Sequence, residues 1–138
     1  MADLKERIDA EFENIDKVLG EFPSAKNLPD LSLLELAGVA TLLHNFYNGI
    51  ENIIKQILIE KNVPLPEGKS WHRDMLESAV KGKIISTNCL SDLSEYLAFR
   101  HFFSHSYALD LQSDKLEPLV ENVHNVFLHF HNEIRNIF

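Results

Sequence analysis

The stretch that most constrains this chain runs from Leu31 to Lys61. Leu33, Leu36, Ala40, Leu43, Tyr47, Ile50, Ile54 and Leu58 recur at three- and four-residue steps as one apolar stripe. Leu42, Phe46, Ile53 and Ile57 add a second. A helix apolar on two sides has to be covered from several directions, so this one is expected at the centre of its domain. Asp30 or Ser32 stands where an N-cap belongs. "VPLPEGK" ends the helix, because Pro64 and Pro66 cannot continue it. His44, Asn48, Glu51 and Lys55 form a polar stripe beside the apolar ones. It reads as the solvated edge of a bundle helix, with the alternative that Asn48 or Glu51 supports an arginine, Arg100, from behind.

The rest of the chain supplies covering helices. Residues 3–20 place Leu4, Ile8, Phe12, Ile15 and Leu19 on one face and stop near Gly20 and Pro23. "EFPSAKNLPD" is a connector rich in turn formers. Ser70 is placed to cap a short helix carrying Trp71, Met75, Leu76 and Val80. "KGKIISTN" reads as a loop, and Ile84 and Ile85, though strand-like, have no alternating partner. A fourth helix is expected to start near Asn88 or Ser91. The last helix is expected from Ser113 or Asp114, with Glu117 spaced as in a capping box and Pro118 tolerated in the first turn. Its buried face is Val120, Val123, Phe127, Phe130, Ile134 and Ile137. The sum is one all-α domain over residues 1–138, a bundle of four or five helices.

Charge and composition narrow the possible partners. The 138 residues carry a formal net charge of −8, which opposes nucleic-acid binding through the overall field. The charge is uneven. Residues 1–22 hold seven acids against three bases, and residues 55–83 hold six bases against four acids. Any nucleic-acid groove is therefore expected mid-chain, where Lys69, His72, Arg73, Lys81 and Lys83 could hold a backbone; a solvated loop is the plainer account. The single cysteine, Cys89, cannot form an intramolecular disulfide, which fits a reducing, cytoplasmic setting. "MADLKERIDAEFENIDKVLG" lacks the apolar core of a signal peptide, and "IENIIKQILIEK" is too short and too charged to span a bilayer.

The chemistry concentrates in "LAFRHFFSHSYALD", Leu97 to Asp110. On one helix at 100° per residue, Leu90, Leu93, Tyr96, Leu97, Phe99 and Phe103 define a buried arc. Arg100 and Tyr107 fall inside it, about 20° apart. A guanidinium there is costly unless it is paired or faces a cleft, so both are expected to line a pocket or an interface. His105 falls about 140° from Arg100. The two meet at one phosphate only if the helix breaks between Phe103 and His105 or a second subunit completes the site. His101 and His105, four apart, have a metal-ligand spacing but no third ligand nearby, so no metal is expected. Arg-x4-His-x-Tyr is expected by chance roughly 0.004 times in this composition, so the spacing carries information.

"RHFFSHSY" resembles the Arg-x4-His-x-Tyr signature of the HepT-like branch of HEPN domains, small all-α ribonuclease toxins. "FYNGIENIIKQI" (Phe46–Ile57) is similar to the family's second-helix segment, and "SWHRDMLESA" (Ser70–Ala79) to its following short helix. The resemblance covers about residues 40 to 108. It implies a homodimer whose paired motifs form one RNA-cleaving cleft. It also implies a partner, a minimal nucleotidyltransferase antitoxin that transfers AMP to the motif tyrosine, Tyr107. The first and last helices carry no motif of this kind.

The residues suit that chemistry. RNA brings its own nucleophile, the 2′-hydroxyl, so no cofactor is required, and DNA lacks that group. His105 can serve as general acid or base, and Arg100 can neutralise charge developing on phosphoryl oxygens. AMP on Tyr107 would add bulk and negative charge. His101 and Ser104 are supporting candidates, as are Glu51 and Asn48. Phe99, Phe102 and Phe103 read as core or dimer interface. His124, His129 and His131 share no common face and read as core-edge positions. Two rival classes stand beside the toxin: a non-catalytic module that docks a nucleotidyltransferase and presents substrate or nucleotide, and a purely structural helical partner.

Overall fold

The computed structural model describes residues 3–137. Five α-helices follow one another: α1 (Leu4–Leu19), α2 (Leu33–Glu60), α3 (Trp71–Lys81), α4 (Thr87–His105) and α5 (Ser113–Arg135). Short 3-10 helices at Ala25–Asp30 and Ala108–Asp110 interrupt two of the connections. Among the described residues there is no strand, as the all-α reading requires.

α2 is the centre, as its two stripes demand. Phe46, Ile50, Ile53, Ile54, Ile57 and Leu58 have no exposed surface at all. Each such side chain contributes on the order of 1.5–3 kcal/mol relative to staying in water. The helix starts at a full capping box: the Ser32 hydroxyl accepts from the Glu35 N–H at 3.1 Å, and the Glu35 carboxylate accepts from the Ser32 N–H at 2.9 Å. Leu33, at the first turn, is the exception to the stripe and stays exposed.

α1 covers one side with Ile8, Phe12, Ile15 and Leu19. The approach is close because position 49 is glycine. A Cβ there would lie 2.6 Å from the Ile15 Cγ1. α4 covers another side, its Tyr96 ring 5.3 Å from that of Phe46. The Tyr96 hydroxyl donates to the Leu119 carbonyl at 2.7 Å and so ties α4 to α5. α5 packs on the first 3-10 segment, whose Leu28 is wholly buried.

Several helix ends differ from expectation. α4 begins earlier, at Thr87, because the Ser86 hydroxyl accepts from the Cys89 N–H at 3.1 Å. Glu133 of α5 in turn accepts from both the Ser86 N–H and its hydroxyl, at 2.7 and 2.6 Å. A long-range carboxylate thus selects the cap over Asn88 or Ser91. Ser70 precedes α3 but does not cap it; its hydroxyl goes to the Asp74 carboxylate at 3.0 Å instead. α5 starts at Ser113 after Gln112, without a side-chain cap, so the Asp114–Glu117 box does not form. Pro118 therefore lies beyond the first turn, where its missing N–H leaves the Asp114 carbonyl without its helical donor. Ile84 and Ile85 are buried within the α3–α4 connection.

Candidate active site

The polar stripe on α2 is not a solvated edge. It is a seam, and each member meets a side chain from another helix. The His44 ring lies 5.4 Å from that of Phe103 on α4. Asn48 accepts from the Arg100 Nε at 3.3 Å. Glu51 sits 2.6 Å from the His72 Nδ1 on α3. The Lys55 ammonium stands 5.6 Å from the centre of the Trp71 ring. Residues spaced three and four apart had the period of a face, but only the docking of α3 and α4 decides what that face touches.

Arg100 is half-buried in this seam. Among the described residues its guanidinium has the one side-chain hydrogen bond to Asn48 and no ion pair. Because Nε is the nitrogen used, the two terminal nitrogens remain for a bidentate acceptor such as a phosphate. The charge is felt nearby. Burial first, then Arg100, holds the His44 imidazole below its ordinary range, with Glu51 opposing. Burial first, then Glu51, drives the Tyr47 phenol far above its ordinary range. The Tyr47 hydroxyl ends beside Glu51 without a hydrogen bond of good geometry. Of the two supports considered for Arg100, Asn48 touches it, whereas Glu51 serves His72.

The other end of the motif is built differently. α4 remains helical through His105, and the break falls at Ser106, which is extended at φ −119° and ψ 162°. Tyr107 therefore leaves the helix, and its place in the helical arc does not apply. It is 82% exposed rather than buried. Its N–H donates to the Asp110 carboxylate at 3.1 Å, which fixes the backbone of the turn while the phenol projects outward. His105 is exposed in the last turn, its ring 4.6 Å from that of His101. Among the described residues no third potential ligand joins these two histidines. Ser104 is exposed and donates back to the Arg100 carbonyl at 2.9 Å, a contact within its own helix.

Arg100 and His105 are thus on different faces of one unbroken helix, and neither they nor Tyr107 line the groove beside them. That groove, of about 560 Å³, lies between α4 and the start of α5 and is walled by Phe99, Phe102, Leu111, Leu116 and Leu119. Phe99 stacks on Phe103 at 5.8 Å, and Phe102 is 39% exposed.

The mid-chain basic residues are only loosely grouped. Lys69 precedes α3, Arg73 and Lys81 lie on it, and Lys83 follows in a left-handed turn at φ 60°. All four are exposed, and Arg73 pairs with Glu77 at 3.5 Å. His72 does not belong with them, because Glu51 and the Trp71 ring, 3.6 Å away, hold it in the seam. The sequence placed His72 among these surface bases; its partner Glu51, 21 residues away, could be found only as a polar position inside an apolar helix.

Among the described residues no helix is long and apolar enough to cross a membrane. A protein-family model described as "HepT-like protein" matches residues 38–138. No curated protein and no solved structure matches the chain.

Proposed function

We propose, on the premise that this chain belongs to the HepT-like protein family, that it is a toxin acting as a metal-independent endoribonuclease. The observation that carries this reading is Arg100: a half-buried guanidinium, held through Nε by Asn48 and without a carboxylate partner among the described residues. Such a group gains most from a bound phosphate, and it stabilises charge that grows on the phosphoryl oxygens during cleavage. His105, exposed five residues on, is the proton-transfer group.

Their separation around α4 is the reason the reading includes a homodimer. A two-fold axis near the end of α4 would bring the His105 of one copy toward the Arg100 of the other. Exposed Phe102 and Leu109 supply apolar surface at that end.

The antitoxin in this reading is a minimal nucleotidyltransferase that transfers AMP to Tyr107. The phenol is well exposed on a backbone turn fixed by Asp110, so a transferase site could reach it without unfolding the helix. The added phosphodiester would place negative charge beside the basic groups that RNA requires. Cytoplasmic action follows from this partner and substrate.

Incubation of purified protein with RNA in chelator tests the reading. Cleavage by wild type that is lost in both Arg100→Ala and His105→Ala is expected; cleavage retained in either variant removes it. The net charge of −8 and the outward-facing Tyr107 favour a second reading, a non-catalytic module that presents Tyr107 to a nucleotidyltransferase. That module would accept AMP yet leave RNA intact and cells growing.

A further inference from the structure

We propose that His72 is a second proton-transfer residue of this site, a general base held by Glu51 and acting on the 2′-hydroxyl of the RNA; the inference rests on the ribonuclease reading above. Three observations converge on it. Glu51 is 6% exposed, the one charged side chain among the described residues that is buried. The hydrogen bond of good geometry that its carboxylate makes is to the His72 Nδ1, at 2.6 Å, with the Tyr47 hydroxyl also beside it. The imidazole is then fixed a second way, by stacking on Trp71 at 3.6 Å and 29°.

A leucine at position 51 would cost the fold less, because a buried carboxylate loses its water and regains only what its partner returns. What the pair provides is a defined tautomer. With the proton on Nδ1 donated to the carboxylate, the lone pair is on Nε2, and the carboxylate stabilises the imidazolium once that nitrogen takes a proton. His72 keeps 19% of its side chain exposed, so it is held without being sealed.

The placement fits as well. Asn48 and Glu51 are neighbours three residues apart on α2. The first holds Arg100 and the second holds His72. In the proposed arrangement a phosphate on the Arg100 terminal nitrogens sits beside the imidazole, because neighbouring positions of one helix hold the two side chains. Cleavage through the 2′-hydroxyl needs a proton acceptor and a proton donor on opposite sides of the phosphorus; on α4 His101 and His105 stand together, their rings 4.6 Å apart, so the second role falls to a residue elsewhere. In the proposed step the 2′-hydroxyl proton passes to the His72 Nε2 as the oxygen–phosphorus bond forms. The bond from phosphorus to the 5′-oxygen breaks, and that oxygen takes a proton from His105 of the second copy. The products are a 2′,3′-cyclic phosphate and a 5′-hydroxyl, and both imidazoles return to their starting states by exchange with water.

A subunit-exchange experiment on a defined RNA oligonucleotide tests this. His72→Gln, whose amide can still donate to Glu51, is expected to lose about 10²–10⁴-fold in rate while staying folded at the assay temperature, as its circular dichroism would show. His105→Ala is inactive. Equilibrating the two inactive dimers together should return about a quarter of wild-type activity, since half the dimers become mixed and each mixed dimer holds one intact pair. Added imidazole should restore part of the activity of His72→Ala, which a purely structural histidine would not show. A His72→Gln rate equal to wild type overturns the inference while leaving the ribonuclease reading standing. Failure of the exchanged mixture to regain activity overturns the two-chain arrangement of base and acid. Wild-type protein that leaves the RNA whole overturns the ribonuclease reading itself.

Discussion

Arg100 and Tyr107 stand seven residues apart in one motif, yet their surroundings are opposite. Arg100 lies in a seam between three helices, tied by Nε to a side chain 52 residues away. Tyr107 lies past the last helical turn, 82% exposed and held only through its own backbone. In the proposed reading the difference separates two tasks. A group that stabilises charge works best when fixed and partly desolvated. A group that is to be modified by another protein must be reachable. One helix end, at Ser106, divides them.

Substitution at the two ends should divide them too. The largest expected effect is Arg100→Ala, about a thousandfold loss of RNA cleavage, with Tyr107→Phe within a few-fold of wild type. Intact mass after co-expression with the proposed nucleotidyltransferase partner should then show adenylate on Arg100→Ala and none on Tyr107→Phe. Equal losses of cleavage in both variants would erase the contrast.

Next in size is a change behind the seam. Gly49→Ala forces a methyl to within 2.6 Å of Ile15 and should destabilise the protein by about 1–3 kcal/mol in denaturant titration. Tyr107 should still accept AMP in the folded fraction, because its turn takes nothing from α1.

Asn48→Ala should be milder. It frees Arg100 without removing it, so cleavage is expected to fall about tenfold, the loss of one hydrogen bond to a charged group. A loss as large as that of Arg100→Ala would mean that Asn48 does more than orient the guanidinium.

The smallest effect is a control on rigidity. Burial above all, with Glu133 and Asp92 adding to it, pushes the Cys89 thiol up to about 12. At pH 8 the native thiol is therefore almost wholly protonated and should resist thiol reagents that label the unfolded chain at once. Rapid labelling of native protein would show that the start of α4 opens readily, and the fixed end of the comparison would lose its basis.

Much of this architecture was legible in the sequence. The double stripe from Leu33 to Leu58 made α2 central, and the spacing of Ile8, Phe12, Ile15 and Leu19 produced α1, because local periodicity has only one way to be buried. Helix ends were less legible. Ser86 caps α4 with help from Glu133, 47 residues away, and no local pattern encodes that. A contact of Asn48 or Glu51 with Arg100 stood only as the alternative to a solvated edge, and the structure gives that contact to Asn48.

The sequence by itself determined the helices, the central place of α2 and the presence of an Arg-x4-His-x-Tyr element too specific for chance. Tertiary structure alone decided the rest. It ended α4 before Tyr107 and turned that phenol outward. It converted His44, Asn48, Glu51 and Lys55 from a surface stripe into a seam, and it paired Glu51 with His72. The physical reason is the same in each case. Periodicity states that a face exists, whereas the partners of its polar groups come from other helices, and a half-buried charge finds its place only when those helices have docked.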